Sequence, residues 1–151
     1  MPARPARAAD LAALLELFAA SEVSAVVQPA ERAEAIWQDT LRHPGLRVFV
    51  SGVEGRVVAT CMLVTAPNLL RSGRSHAFLE NVVTHPVFRG QGHGRAVVTA
   101  ALDHAWAVGC HQVLLQSGRK NLRVHAFYEG LGFRPSLRTA YVAQRPPPES
   151  Q

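Results

Sequence analysis

Cysteine is nearly absent: Cys61 and Cys110 are the only two in 151 residues, each in an apolar run with no cysteine or histidine at ligand spacing. They cannot form a disulfide scaffold or a thiolate zinc site, and both read as buried reduced thiols. Aromatic residues are scarce at 7%, and no basic stripe with interleaved aromatics occurs, which excludes an extended nucleic-acid surface. Lysine is nearly missing as well: fifteen of the sixteen basic residues are arginine, scattered from Arg4 to Arg145, and Lys120 is the exception. No apolar run approaches the roughly 20 residues needed to cross a bilayer, so no membrane span is expected. The stretch Met1-Pro2-Ala3-Arg4-Pro5-Ala6-Arg7 lacks the apolar core of a secretory leader, which makes a cytoplasmic location the expectation. Seven histidines are present, but His85, His93, His104 and His111 fall on different elements without a ligand pattern, so no metal is expected.

What is present is an ordinary globular composition, 48% hydrophobic and 18% charged. A chain of this length buries about two-thirds of its unfolded surface as one domain, expected over residues 1–145 with a disordered tail at 146–151. The formal charge of +5 suits a ligand carrying several phosphates. Apolar periodicity predicts helices over Ala9–Ala20, with Asp10 as cap, and Ala30–Leu41. Leu46–Val53 and Arg56–Ala66 alternate as strands around Glu54-Gly55, the strongest hairpin signal in the chain. Pro67–Arg74 reads as a loop, Ser75–His85 as a strand, Ala96–Val108 as a helix, Cys110–Gln116 as a strand and Asn121–Leu131 as a helix. Phe133–Gln144 reads as one or two closing strands. The order implies an α/β (α+β) mixed sheet with helices on both faces.

The strand at Ser75–His85 runs into Arg89-Gly90-Gln91-Gly92-His93-Gly94-Arg95 and then into a helix. A helix that opens on glycines offers unpaired N–H groups and the positive end of its dipole to an anion. Several phosphate loops share this plan. The nucleoside triphosphate loop requires Lys and then Ser or Thr after its last glycine, where this chain has Arg95 and Ala96. The dinucleotide fingerprint requires Gly-x-Gly-x-x-Gly or Ala and an acidic residue about 20 positions on, and none lies near Val113–Ser117. What remains is Arg-x-x-Gly-x-Gly, preceded by Val83-Thr84-His85-Pro86 and followed by a helix.

That signature resembles the acetyl-coenzyme A loop of the GNAT superfamily of N-acetyltransferases. A second segment, Asn121-Leu122-Arg123-Val124-His125-Ala126-Phe127-Tyr128-Glu129-Gly130-Leu131-Gly132-Phe133, is similar to the family's Asn and Ala-x-x-Phe-Tyr-Glu-x-x-Gly-Phe pattern in compressed form. The two fall in the family's order and cover about Ser75 to Pro135. The resemblance implies a GNAT-like fold: a central, mostly antiparallel sheet with a V-shaped splay and helices on both faces. It also implies acetyl transfer from acetyl-CoA to a primary amine of a small molecule by direct attack in a ternary complex, without a metal. The alternative is a non-catalytic acyl-CoA sensor or partner domain. Homodimerisation is a family habit.

Candidate residues follow from the chemistry. Donor binding falls to the backbone of Gly90, Gln91, Gly92, His93, Gly94 and Arg95, with Arg89 and Arg95 adding charge-assisted contacts. In the family the pantetheine arm lies beside the preceding strand, which implies the backbones of Val82 and Val83, whose amides also suit the tetrahedral oxyanion. Asn121 sits at a helix start, where capping and contact with the coenzyme arm are compatible. Tyr128 matches the family's acid position, and a phenol of pKa about 10 can protonate a thiolate whose acid has pKa about 8.5. Glu80, on the strand entering the loop, is the candidate base or substrate-binding carboxylate. In the family the acceptor pocket is built largely from the segments corresponding to about Ser21–Gln38 and Pro67–Arg74, where Glu22, Glu31 and Glu34 suit a cationic acceptor and Arg71 and Arg74 a phosphorylated or carboxylated one. The Phe78–Val83 segment is similar to small family members that acetylate amino sugars or related metabolites.

Overall fold

The computed structural model describes residues 2–26, 29–118 and 120–149. Val27 and Gln28, inside the segment expected to shape the acceptor pocket, and Ser150 and Gln151 of the expected tail lie outside them. The chain forms two compact units, Met1–Leu115 and Gln116–Gln151.

The first unit is built on five strands, β1 Arg4–Pro5, β2 Leu46–Val53, β3 Arg56–Ala66, β4 His76–Thr84 and β5 Leu114–Leu115. They lie in chain order, antiparallel from β1 to β4 and parallel between β4 and β5. The hairpin of β2 and β3 falls on the expected residues. Its turn places Glu54 at φ 50 and Gly55 at φ 81, the two left-handed residues that match a tight turn to strand twist. β4 pairs with β5 only at Phe78 and Leu79. Beyond them the outer edge of β4 has no ladder partner among the described residues.

Helices cover both faces. Leu14 and Leu17 of α1 (Leu11–Ala19) and Trp37 of α2 (Ala30–Arg42) are buried with Val50 and Val57, and Val83 packs against them. On the opposite face, α3 (His93–Ala107) buries Val97, Val98, Ala101 and Ala105. The alternation of β2 makes the division visible: Val50 joins the α1 and α2 cluster, while Phe49 and Ser51 touch His104 and His93 of α3. Each fully buried Val or Leu contributes about 1.5–3 kcal/mol, so these two layers hold the sheet end that carries the loop.

Three expectations are corrected. Asp10 precedes α1 but does not cap it by side chain; its carboxylate takes both Arg4 guanidinium nitrogens at 2.7 and 2.8 Å and the Arg7 N–H at 2.7 Å. This clamp also explains β1, an edge strand too short to show any period. Second, the strand foreseen over Cys110–Gln116 shrinks to Leu114–Leu115. Third, Phe133–Gln144 forms no strand. Pro135 cannot donate to a ladder and Ser136 at φ 64 turns the chain out of the extended region. The second unit is instead organised by α4, Leu122–Glu129.

Candidate active site

β4 ends at Thr84, and a 3-10 turn over Pro86–Phe88 leads to the glycines. Gly90 has φ 75 and Gly92 has φ 90. A Cβ on either would meet nothing within 4 Å, so their conformation, not crowding, calls for glycine. Gly92 is the N-cap of α3 and offers no side chain to its first turn. The first helical hydrogen bond is Ala96 N–H to Gly92 C=O at 2.9 Å, so the N–H groups of His93 and Gly94 precede the ladder. The rest of α3 lies behind them, giving the loop the positive end of a fifteen-residue helix. Arg89 and Arg95 are exposed on either side.

The loop's own side chains divide their tasks. Gln91 turns its amide back to the Val87 carbonyl at 3.2 Å and braces the loop. His93 is fully buried; its Nδ1 lies 2.9 Å from Ser51 Oγ and its ring meets Phe88 edge-on. Its side chain therefore ties the first residue of α3 to β2. Under the loop, His85 Nδ1 accepts from the Val87 N–H at 3.2 Å, and Arg56 reaches His85 Nε2 at 3.1 Å while lying 5.9 Å from the Phe88 ring centre. Ser51, Arg56 and His85 were not expected at this site. His85 carried a local signal, a histidine directly before Pro86 at a helical start, but β2 and β3 meet it only through sheet register.

Along β4 the backbone changes phase at a bulge. Thr60 pairs with Val83 and Met62 with Glu80, so Asn81 and Val82 together oppose Cys61, and Asn81 takes φ 52. His85 N–H donates to Val58 C=O at 2.8 Å. Alternation then turns Val83 towards β3, as its pairing with Thr60 requires, and turns the N–H and C=O of Val82 and Thr84 to the open edge. The two valines named from sequence thus separate: Val82 presents backbone to the open edge, and Val83 presents its side chain to the core. Glu80 stands exposed just before the bulge, so its carboxylate carries no burial cost.

In the second unit Asn121 caps α4, its Oδ1 accepting the Arg123 N–H at 2.9 Å. Tyr128 lies in the last turn, half-buried between Phe127 and Phe133 with ring centres 5.1 and 5.8 Å away. Its carbonyl accepts from the N–H groups of Leu131 and Phe133, which fixes the helix end and hence the ring. Of the residues named from sequence, Glu80, Val82, Val83 and Arg89–Arg95 belong to the first unit, and Asn121 and Tyr128 to the second. Among the described residues no group of three or more His, Cys, Asp or Glu side chains converges as a metal site would require.

Comparison with known proteins gives the arrangement its relatives. The pattern of the Acetyltransferase (GNAT) family matches residues 11–133. A glucosamine 6-phosphate N-acetyltransferase of Trypanosoma brucei brucei is 34% identical over 127 residues, 83% of each chain. A solved structure from Agrobacterium tumefaciens strain C58 is 40% identical, with a TM-score of 0.86 over 95% of this chain and 100% of that one. The crystal structure of glucosamine-6-phosphate N-acetyltransferase from Arabidopsis thaliana shares the fold at 23% identity and a TM-score of 0.80, covering 95% and 96% of the two chains. With both sequence motifs inside the matched span, the chain belongs to the GNAT family of acetyltransferases and is an N-acetyltransferase of that type.

Proposed function

We propose that this enzyme transfers the acetyl group of acetyl-CoA to the primary amine of a hexosamine 6-phosphate, by direct attack within a ternary complex. The observation that carries the reading is the Gly90–Gly94 loop capping α3 at the end of a strand whose outer edge is open beyond Leu79. An anion on the loop and an extended arm on that edge are what a coenzyme A thioester brings, and GNAT relatives use it as cosubstrate. The phosphorylated amino sugar is supported by the T. brucei brucei relative.

In this reading the N–H groups of His93 and Gly94 bind the diphosphate, with Arg89 and Arg95 adding charge. The Val82 N–H stabilises the oxyanion that forms as the amine nitrogen bonds to the thioester carbon. Glu80 attracts the ammonium and accepts its proton through water, since only the neutral amine can attack. As the C–S bond breaks, Tyr128 gives its phenolic proton to the leaving sulfur, and the proton that the acylated nitrogen sheds returns through water to restore the phenol.

Release of free thiol from acetyl-CoA, followed with glucosamine 6-phosphate, glucosamine and a simple alkyl amine in parallel, tests the proposal. Saturable release with the phosphorylated sugar above the other two is the expected result. Coenzyme binding with no release on any amine would replace it with the non-catalytic acyl-CoA domain.

A further inference from the structure

The conflict lies at His85. Its ring is 8% exposed, and two donors aim at it: the Val87 N–H at Nδ1, 3.2 Å, and the Arg56 guanidinium at Nε2, 3.1 Å. A neutral imidazole has one lone pair to offer and a charged one has none. With Nδ1 accepting from the backbone, the proton sits on Nε2 and faces the guanidinium donor to donor. The other tautomer moves the same conflict to Val87. In every protonation state one donor lacks an acceptor, and an unanswered donor in a buried position is costly. An oxygen anion set between Nε2–H and the guanidinium answers both.

We propose that Arg56 and His85 form a phosphate-monoester site beside the glycine loop. Arg56 is exposed, and its guanidinium carbon lies over the Phe88 ring 5.9 Å from the ring centre, so it is held in place yet open to a ligand. Glu54, two residues earlier, makes no ion pair with it among the described residues. The 3-10 turn over Pro86–Phe88 separates His85 from Arg89, which limits the Cα separation of these two residues to about 14 Å. A ligand whose diphosphate lies on the loop can therefore place a further phosphate here. The inference rests on the coenzyme reading for one of its two sources, the 3′-phosphate of coenzyme A; the other is the phosphate of the sugar acceptor.

Calorimetric titration of the full chain distinguishes them, with coenzyme A against dephospho-coenzyme A in one arm and glucosamine 6-phosphate against glucosamine in the other. Wild type is expected to prefer the phosphorylated member of one pair by about tenfold, the size of one charge-assisted hydrogen bond. Arg56→Gln removes that preference while leaving affinity for the unphosphorylated member unchanged, which also shows that the variant is folded. His85→Asn, which keeps a capping side chain before Pro86, loses the same preference. If both variants keep the wild-type ratio in both arms, or weaken the two members of each pair equally, the site does not exist. Wild-type protein that binds neither coenzyme overturns the acetyl-CoA reading, and the second arm then decides the fork on its own.

Discussion

Replacing Gly92 by alanine separates the backbone of the loop from its side chains. Gly92 has φ 90 and ψ −3, and a Cβ there would meet no atom within 4 Å, so the added methyl collides with nothing. The cost is conformational. A non-glycine residue held in the left-handed region costs about 1–2 kcal/mol, and in a chain of this size that lowers Tm by roughly 2–8 °C. The strain is relieved most cheaply by opening the first turn of α3, because Gly92 C=O is the first acceptor of the helix. That relief moves the N–H groups of His93 and Gly94 away from the anion. Gly92→Ala should therefore lower both Tm and coenzyme affinity, the latter by about tenfold if one charge-assisted contact is lost. Asparagine tolerates the left-handed region better, so Gly92→Asn should recover part of both losses. Thermal unfolding and calorimetric titration of the two variants check this. A Gly92→Ala protein as stable as wild type, or an asparagine variant no better than alanine, refutes the argument that φ governs the loop.

Tyr128→Phe keeps the ring packed between Phe127 and Phe133 and removes only the hydroxyl; kcat should fall at least about a hundredfold with coenzyme affinity spared, and unchanged turnover would remove Tyr128 from the mechanism. Asp10→Asn removes the clamp on Arg4, whose side chain is 44% exposed, so solvent screening limits the stability loss to about 1 kcal/mol in denaturant titration. The hydrogen bonds from Arg4 hold the Asp10 carboxyl below its usual range. A depressed folded pKa gives stability that is complete above the unfolded value near 4 and is lost as pH falls through the folded one, so the gap between wild type and Asp10→Asn should close below about pH 4. Burial pushes the Cys61 thiol up to about 12, so it should resist iodoacetamide at pH 8 in the native protein and react on unfolding.

Much of the first unit was legible because its signals are local. Leu46–Val53 and Arg56–Ala66 match the observed strands residue for residue, since alternation and the Glu54-Gly55 turn specify register together. α2 and the strand entering the loop also fall within a residue or two of expectation. The closing strands were misread from the apolar spacing of Phe133–Gln144. Spacing counts side chains, whereas a strand needs backbone partners, and Pro135 and Ser136 deny them. β1 failed in the opposite way: two residues have no measurable period, and what holds them is the tertiary pairing of Arg4 and Asp10.

The site divides along the same line. Glycines, a capping asparagine and a Phe-Tyr-Glu helix can be read in order along the chain, because their roles depend on the conformation of their own segment. The direction of an amide on β4 cannot be read that way. It depends on where one extra residue is inserted, and the bulge at Asn81 and Val82 decides that Val82, not Val83, presents its backbone to the open edge. His93 illustrates the point from the other side. From sequence it is one more residue of an anion loop, yet its imidazole is the anchor that holds the loop to Ser51, forty-two residues earlier in the chain. On the proposed reading the loop binds through its backbone, which leaves its side chains to fix that backbone. Gln91 on the Val87 carbonyl, His85 on the Val87 N–H and His93 on β2 all do so, which makes the loop a preformed cradle instead of one that must order around its ligand.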